Sequence, residues 1–380
     1  MRFIIAAFVF AVASFLAACT SGSPPSPSTA IALATASPVV TAPPPITLPT
    51  GLPTFPITPI QSPLPTTPPS PVATLKPISP PKFSEFAVPT ANAFVMYLVL
   101  GPDGAFWFTE NAARKIGRID RSGNVTEFLT GTNVAPNGIV LGPDGNLWFT
   151  ASRGSAPFIG RMTTAGAVTL FRTTQNTLVT QIAAGPDGAL WFVDYGSGNI
   201  GRIDTNGNVT EYSAAPPPAT PGAGGLFGIT AGSDNAMWFT DNGQNRIGRI
   251  DVTTKAVTEY AVPTANAEAD GITLGPDGAI WFTEFAAGKI GRIDPATKAV
   301  TEYGPVDAGP TMITTGPDGA LWWTEFVENS LGRIDPVTKA INEFSLPTAN
   351  ALPLGIVNDQ SSGALWFAEL GVTKIGRATP

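Results

Sequence analysis

The chain of 380 residues contains no histidine and a single cysteine, Cys19. Without imidazole there is no His-based triad, no His-ligated metal centre and no general base that titrates unaided near neutrality. One cysteine excludes a disulfide framework and a Cys-rich zinc site. Charge is scarce as well, only 13% of residues, and positive charge is the scarcer sign, with 21 Lys and Arg against 28 Asp and Glu. Arg2 and Lys76 lie outside residues 82–380, which therefore hold 19 basic and 28 acidic groups, a net −9. An acidic body of this kind disfavours nucleic acid and anionic membrane surfaces as partners.

Long apolar runs are missing except at the start. Met1 and Arg2 precede 14 mostly apolar residues, Phe3 to Leu16, with small residues at Ala17 and Ala18. The run is too short to span a bilayer and has the form of a secretion signal over residues 1–18. Leu16, Ala17, Ala18 and Cys19 resemble the lipobox of bacterial lipoproteins, so Cys19 is the expected lipidation site and a lipid on it the expected membrane anchor. The expected address is the bacterial cell envelope on its extracytoplasmic side, at an outer membrane or cell surface. From Thr20 to Pro81 there is no Asp or Glu, and 19 of the 39 prolines fall in these 62 residues together with 11 Thr and 8 Ser. Such a composition cannot bury a core, so residues 19–81 are expected to be a disordered, extended stalk. Glycosylation or partner binding along it is the other reading.

Beyond Lys82 the sequence repeats. Trp107, Trp148, Trp191, Trp238, Trp281, Trp322 and Trp366 recur at spacings of 41 to 47 residues. A period near 43 fits a propeller of four-stranded blades or a helical solenoid. The apolar and β-branched runs are only four to six residues long and are separated by Gly, Pro, Asp and Asn, which leaves no room for helix pairs. In the fifth copy the strands are expected around Ile272–Leu274, Ala279–Thr283, Lys289–Ile293 and Ala299–Tyr303. The Asp of each GPDG string reads as a turn former, with Pro fixing φ and Gly accepting positive φ. The third-strand glycines, such as Gly117 and Gly291, are expected to make space for a neighbouring aromatic.

The last copy stops after its third strand, and a lone fourth strand, Phe83–Phe86, precedes the first copy. The expected fold is all-β: a seven-bladed β-propeller over residues 82–380, closed by pairing Phe83–Phe86 with Lys374–Arg377. The expected register sets Glu85 opposite Arg377, as Glu127 would face Arg118 and Glu302 would face Arg292.

At GPDGALWFTE, KIGRID and VTEY the chain resembles the streptogramin B lyase family, also called virginiamycin B lyase. The resemblance covers residues 82–380 and implies a seven-bladed propeller. It also implies elimination across the ester bond of a cyclic depsipeptide antibiotic, with magnesium and histidines at a central funnel. The family's histidines stand in Pro-His-Gly-Ile or Pro-His-Ala-Ile strings. Here those strings read Pro353, Leu354, Gly355, Ile356 and Pro310, Thr311, Met312, Ile313. Leu354 and Thr311 occupy the histidine positions, and the same column elsewhere holds Met96, Asn137, Thr180, Phe227 and Asp270. No catalytic residue is carried over.

Two sets of residues are expected to meet at the funnel. The ends of the second strands supply Glu110, Asp194, Asp241, Glu284, Glu325 and Glu369, with Ala151 breaking the series, and the column adds Asn137 and Asp270. Crowded carboxylates would favour a hard cation, magnesium or calcium; alternatively the recurring acid is a packing or capping signature. Ser213–Gly228, with four Pro and four Gly, reads either as a lid or as a tolerated rim insertion. The expected function is a monomeric binding module for a small molecule, glycan or envelope protein. The alternatives are a metal-dependent lyase or hydrolase using carboxylates with Tyr97 or Tyr195, and a structural envelope protein.

Overall fold

The computed structural model describes residues 79–173, 178–214, 225–307 and 309–380. The expected signal segment, Cys19 and almost all of the stalk, and most of the Ser213–Gly228 loop, lie outside them. The described chain folds into seven four-stranded antiparallel sheets, the blades of a propeller. Blade 1 comprises Val95–Leu100, Phe106–Glu110, Lys115–Ile119 and Val125–Leu129, in that order from the axis outward. Blades 2 to 6 repeat this plan. The first strands stand side by side around the axis, and the ring closes where Val95–Leu100 meets Pro353–Asp359 of blade 7.

Blade 7 is completed from the N-terminus, where Lys82–Ala87 pairs antiparallel with Lys374–Thr379. The expected side-chain register is off by one residue. Glu85 faces Gly376, Ser84 faces Arg377, and likewise Gly117 faces Glu127 and Gly291 faces Glu302. A one-residue shift moves a side chain to the other sheet face. The outer-strand glutamate therefore shares a face with the third-strand glycine and reaches lysine instead, Lys374 Nζ to Glu85 at 2.7 Å. In blade 5 the first strand begins at Ala269, ahead of the expected Ile272, because a bulge lies between the two.

Each core sits between neighbouring blades. Trp191 of blade 3 packs with Met237 and Phe239 of blade 4, and Trp238 packs in turn with Ile280 and Phe282 of blade 5. The seven repeat tryptophans are fully buried. Each also stacks on the aromatic of its own outer strand, from Trp107 on Phe128 at 5.3 Å to Trp366 on Phe86 at 5.5 Å. Truncating such a side chain typically costs about 3–5 kcal/mol. The glycines expected to accommodate aromatics do so: a Cβ at Gly117 would lie 2.1 Å from the Phe108 ring.

The GPDG aspartate does more than turn the chain. Asp103 Oδ1 accepts from Trp107 Nε1 at 3.0 Å and Oδ2 from Arg118 Nε at 2.7 Å. Asp187, Asp234, Asp277 and Asp318 make the same pair of bonds in blades 3 to 6. Blade 7 has Ser362 at this place, and there Trp366 Nε1 and Arg377 Nε are buried without hydrogen-bond partners among the described residues. Its compensation is at the seam, where Arg121 of blade 1 grips the buried Asp359 of blade 7 through two bonds of 2.8 Å. Ser361 and Ser362 also donate to Asp359, and the guanidinium beside it holds the carboxyl well below its ordinary range.

Closure should therefore rest mainly on the N-terminal strand. Deleting Lys82–Ala87 should lower the melting temperature most and Arg121→Ala by an intermediate amount. Glu85→Ala should lower it least, since a partly exposed ion pair contributes about 0.2–1 kcal/mol. Thermal unfolding of the three variants checks the order, and an unchanged melting temperature for the deletion would refute it.

Candidate functional site

The recurring WFT threonine builds the axis. In blade 2 Gly138 N donates to Thr150 Oγ1 at 2.8 Å, and Thr150 Oγ1 donates to the Thr180 carbonyl of blade 3 at 2.6 Å. Thr240 bridges in the same way to Asp270, and Thr324 to Leu354. Each hydroxyl thus ties its own first strand to the next. The approach is so close that a Cβ at Gly271 would lie 2.3 Å from the Thr311 carbonyl oxygen. This lattice fixes a ring of seven buried residues: Met96, Asn137, Thr180, Phe227, Asp270, Thr311 and Leu354.

The position after each ring residue is Gly in blades 2, 4, 5 and 7 but Tyr97, Gln181 and Met312 in blades 1, 3 and 6. Tyr97 contacts Gln181, two blades away, and lies in the field of Asp270, four blades along the ring. Tyr97 and Gln181 thus meet across the axis, within the electrostatic reach of Asp270. Asn242 Nδ2 donates to Asp270 Oδ1 at 3.0 Å. Burial pushes the Asp270 carboxyl up to about 7, with the nearby Glu268 adding repulsion. Tyr195 is raised by burial and by Asp270 and Glu268. Gln181, Asn242 and Glu268 escape a search for acids at strand ends; the break in the glycine column was the available signal for Gln181.

Of the expected funnel set, Asn137 and Asp270 lie on this ring. The second-strand carboxylates are directed elsewhere, each over the outer half of its own blade. Glu110 is fully buried above Gly117 and faces Glu127 and Lys115. Glu284 faces Glu302 and Lys289, and Glu369 faces Glu85 and Lys374. Asp241 faces Glu259 and Arg246, while Asp194 Oδ1 accepts from Gly196 N and Ser197 N to cap its loop. Burial is the main cause of the raised carboxyls, Glu110 and Glu284 to about 8, Glu369 to about 7 and Asp241 to about 6. Among the described residues, both carboxyl oxygens of Glu110, Glu284 and Glu369 lack hydrogen-bond partners.

Blade 6 departs from this plan. Ser330 stands where blades 1, 5 and 7 have Lys115, Lys289 and Lys374, and it donates to Glu325 beside Trp323 Nε1, which donates at 2.8 Å. Asp307, Glu325 and Glu343 here form the one group of three acidic side chains within 4.8 Å among the described residues. It lies off the ring. The magnesium centre implied by the resemblance does not fit the ring, because Leu354 offers no donor atom and the Thr311 hydroxyl is engaged with Thr324.

The sequence profile described as the virginiamycin B lyase family matches residues 78–223 and 219–380. The virginiamycin B lyase of Staphylococcus aureus is 33% identical, with 79% of this chain and 99% of that one covered and a TM-score of 0.72. A streptogramin B lyase is 34% identical, with 79% and 97% covered and a TM-score of 0.71. A catalytically inactive His-to-Ala variant of the S. aureus lyase with quinupristin is 33% identical, with 79% and 99% covered and a TM-score of 0.71. Among curated proteins none matches the chain.

The buried carboxyls make stability pH-dependent. Their folded pKa values lie above the unfolded ones, so the stabilisation is complete below about pH 4.5 and is lost as pH rises through 6 to 8. Glu284→Gln cannot ionise. Its melting temperature should match the parent's at pH 5 and exceed it by about 2–4 °C at pH 9, read by calorimetry. An equal pH dependence in the two proteins would refute this assignment.

Proposed function

The chain belongs to the virginiamycin B lyase family, and from that premise we propose that it is a ligand-binding propeller tethered outside a bacterial cell and not a streptogramin lyase. The observation that carries this reading is the ring itself. Its two histidine positions hold Thr311 and Leu354, both buried and built into the apolar and hydroxyl packing of blades 6 and 7. Elimination needs a base held at the carbon-bound proton, and losing a positioned base typically costs about 10²–10⁴ in rate. In the S. aureus relative, the His-to-Ala variant with quinupristin is described as catalytically inactive. This chain contains no histidine anywhere.

The tether reading rests on the apolar leader, the lipobox-like Cys19 and the Pro-rich segment that follows. Lys82, where the ring's first strand begins, pairs with Thr379 at the end of the blade that carries the third-to-fourth strand turns. The ring loops before the first strands are at the opposite end. Lys82 thus lies at the end of the blades opposite the ring loops, and the ligand of this reading is a small molecule, a glycan or an envelope protein.

Two assays test the reading. Purified protein incubated with virginiamycin S and excess magnesium should leave the ring intact by mass spectrometry, at least about 10²-fold below a family lyase. Turnover within tenfold of that lyase, abolished by Asp270→Asn, would establish a carboxylate-based enzyme instead. Cys19→Ser should move the protein from the membrane to the soluble fraction; retention in the membrane would refute the lipid anchor.

A further inference from the structure

The ring is chemically lopsided. Around Tyr97, blades 6, 7 and 1 contribute Met312, Phe326, Leu352, Leu354 and Met96, which pack in one apolar cluster. Blade 5 contributes the only acid of the ring, Asp270, about nine-tenths buried. One oxygen of Asp270 accepts from Asn242, and the other accepts no hydrogen bond from the described residues. The charged groups that act on it are of its own sign, Glu268 alone, and no Lys or Arg side chain is among them. A buried carboxylate without a cation is costly, which is why such groups are almost always paired. The second-strand acids differ in that a basic side chain lies close enough to act on them, Lys115 on Glu110, Lys289 on Glu284, Lys374 on Glu369 and Arg246 on Asp241, although those lysines bond the outer-strand glutamates; Glu325 accepts from Ser330 and Trp323.

An unpaired acceptor lies on the same ring: Asn137, 8% exposed, has its Oδ1 buried with no hydrogen-bond partner among the described residues. Two phenols, Tyr97 and Tyr195, stand within the field of Asp270. Aromatic faces and hydroxyls beside a carboxylate favour organic ammonium groups, through charge pairing and cation–π attraction.

Resting on the binding reading above, we infer that the funnel takes a small organic cation, a protonated or quaternary amine on an apolar body, with the ammonium on Asp270 between Tyr97 and Tyr195. The apolar body lies against Met96, Phe326 and Leu354. A divalent metal ion is a weaker match, since Glu268 is the one other carboxylate acting on Asp270 and the two belong to no group of three acidic ligand atoms within 4.8 Å among the described residues.

The test uses phenethylamine, with 2-phenylethanol as its neutral counterpart, titrated into the full-length protein in detergent and followed by ligand-observed saturation-transfer NMR. Phenethylamine should bind at least tenfold more tightly than 2-phenylethanol. Asp270→Asn should remove that tenfold preference without weakening 2-phenylethanol. Should Asp270→Asn fail to fold, Glu268→Gln serves, with an expected two- to threefold loss confined to the amine. Equal affinity for the two probes, or amine binding unaffected in Asp270→Asn or Glu268→Gln, would overturn the cation assignment. Equal affinity would still leave a binding funnel, whereas antibiotic turnover is what would remove the binding reading itself.

Discussion

Five times in this ring a single aspartate holds a tryptophan and an arginine at once, and the blade plan depends on that clip. Asp103, Asp187, Asp234, Asp277 and Asp318 each lock the turn before the second strand, GPDG in four blades and GSDN in blade 4, to the indole that fills the space between blades and to the third strand beside it. The indole can be buried without losing its N–H partner, so large apolar area leaves water without an orphan polar group. Two of the seven copies depart from the clip. In blade 2 Asp144 keeps Trp148 while Arg161 reaches the Thr205 carbonyl of the next blade. In blade 7 the clip is gone and the Arg121–Asp359 bracket across the seam takes over its part. The ring is thus weakest in side-chain terms where it must close, and is held there by the N-terminal strand.

Because so much of each repeat serves packing, the places where one copy differs from the others carry the functional information. Around the axis the threonine and glycine lattice sets the backbone, and the ring side chains vary freely on it. Blades 6, 7 and 1 place Met312, Leu354 and Met96 in one apolar cluster, blade 5 carries the acid Asp270, and the position after the ring residue is Gly in four blades but Tyr97, Gln181 and Met312 in the other three.

Blade number, closing strand and third-strand glycines were legible in the chain, because tryptophan spacing and turn chemistry depend on local sequence. Register was not. KIGRID and VTEY do not say whether Gly or Arg faces the outer glutamate; that is decided by the Phe108 and Glu110 side chains needing the space over Gly117. The same alternation explains the carboxylates. Glu110 is two residues from Phe108, so it shares that face and cannot point to the axis, although it ends a strand beside the funnel. The axial contact of Tyr97 with Gln181 joins residues 84 positions apart, and nothing in their local strings announces it.

On the reading proposed above, Asp270 is a buried funnel carboxylate whose cation comes from outside the chain. Carbon-13 NMR of the Asp270 carboxyl, followed against pH with and without saturating phenethylamine, measures this directly. Alone, with Asn242, Glu268, Tyr97 and Tyr195 as its neighbours, it should titrate near 7. The amine should move that midpoint down toward the ordinary aspartate range near 4. A midpoint already near 4 in the free protein, or one that the amine leaves unmoved, would contradict the account.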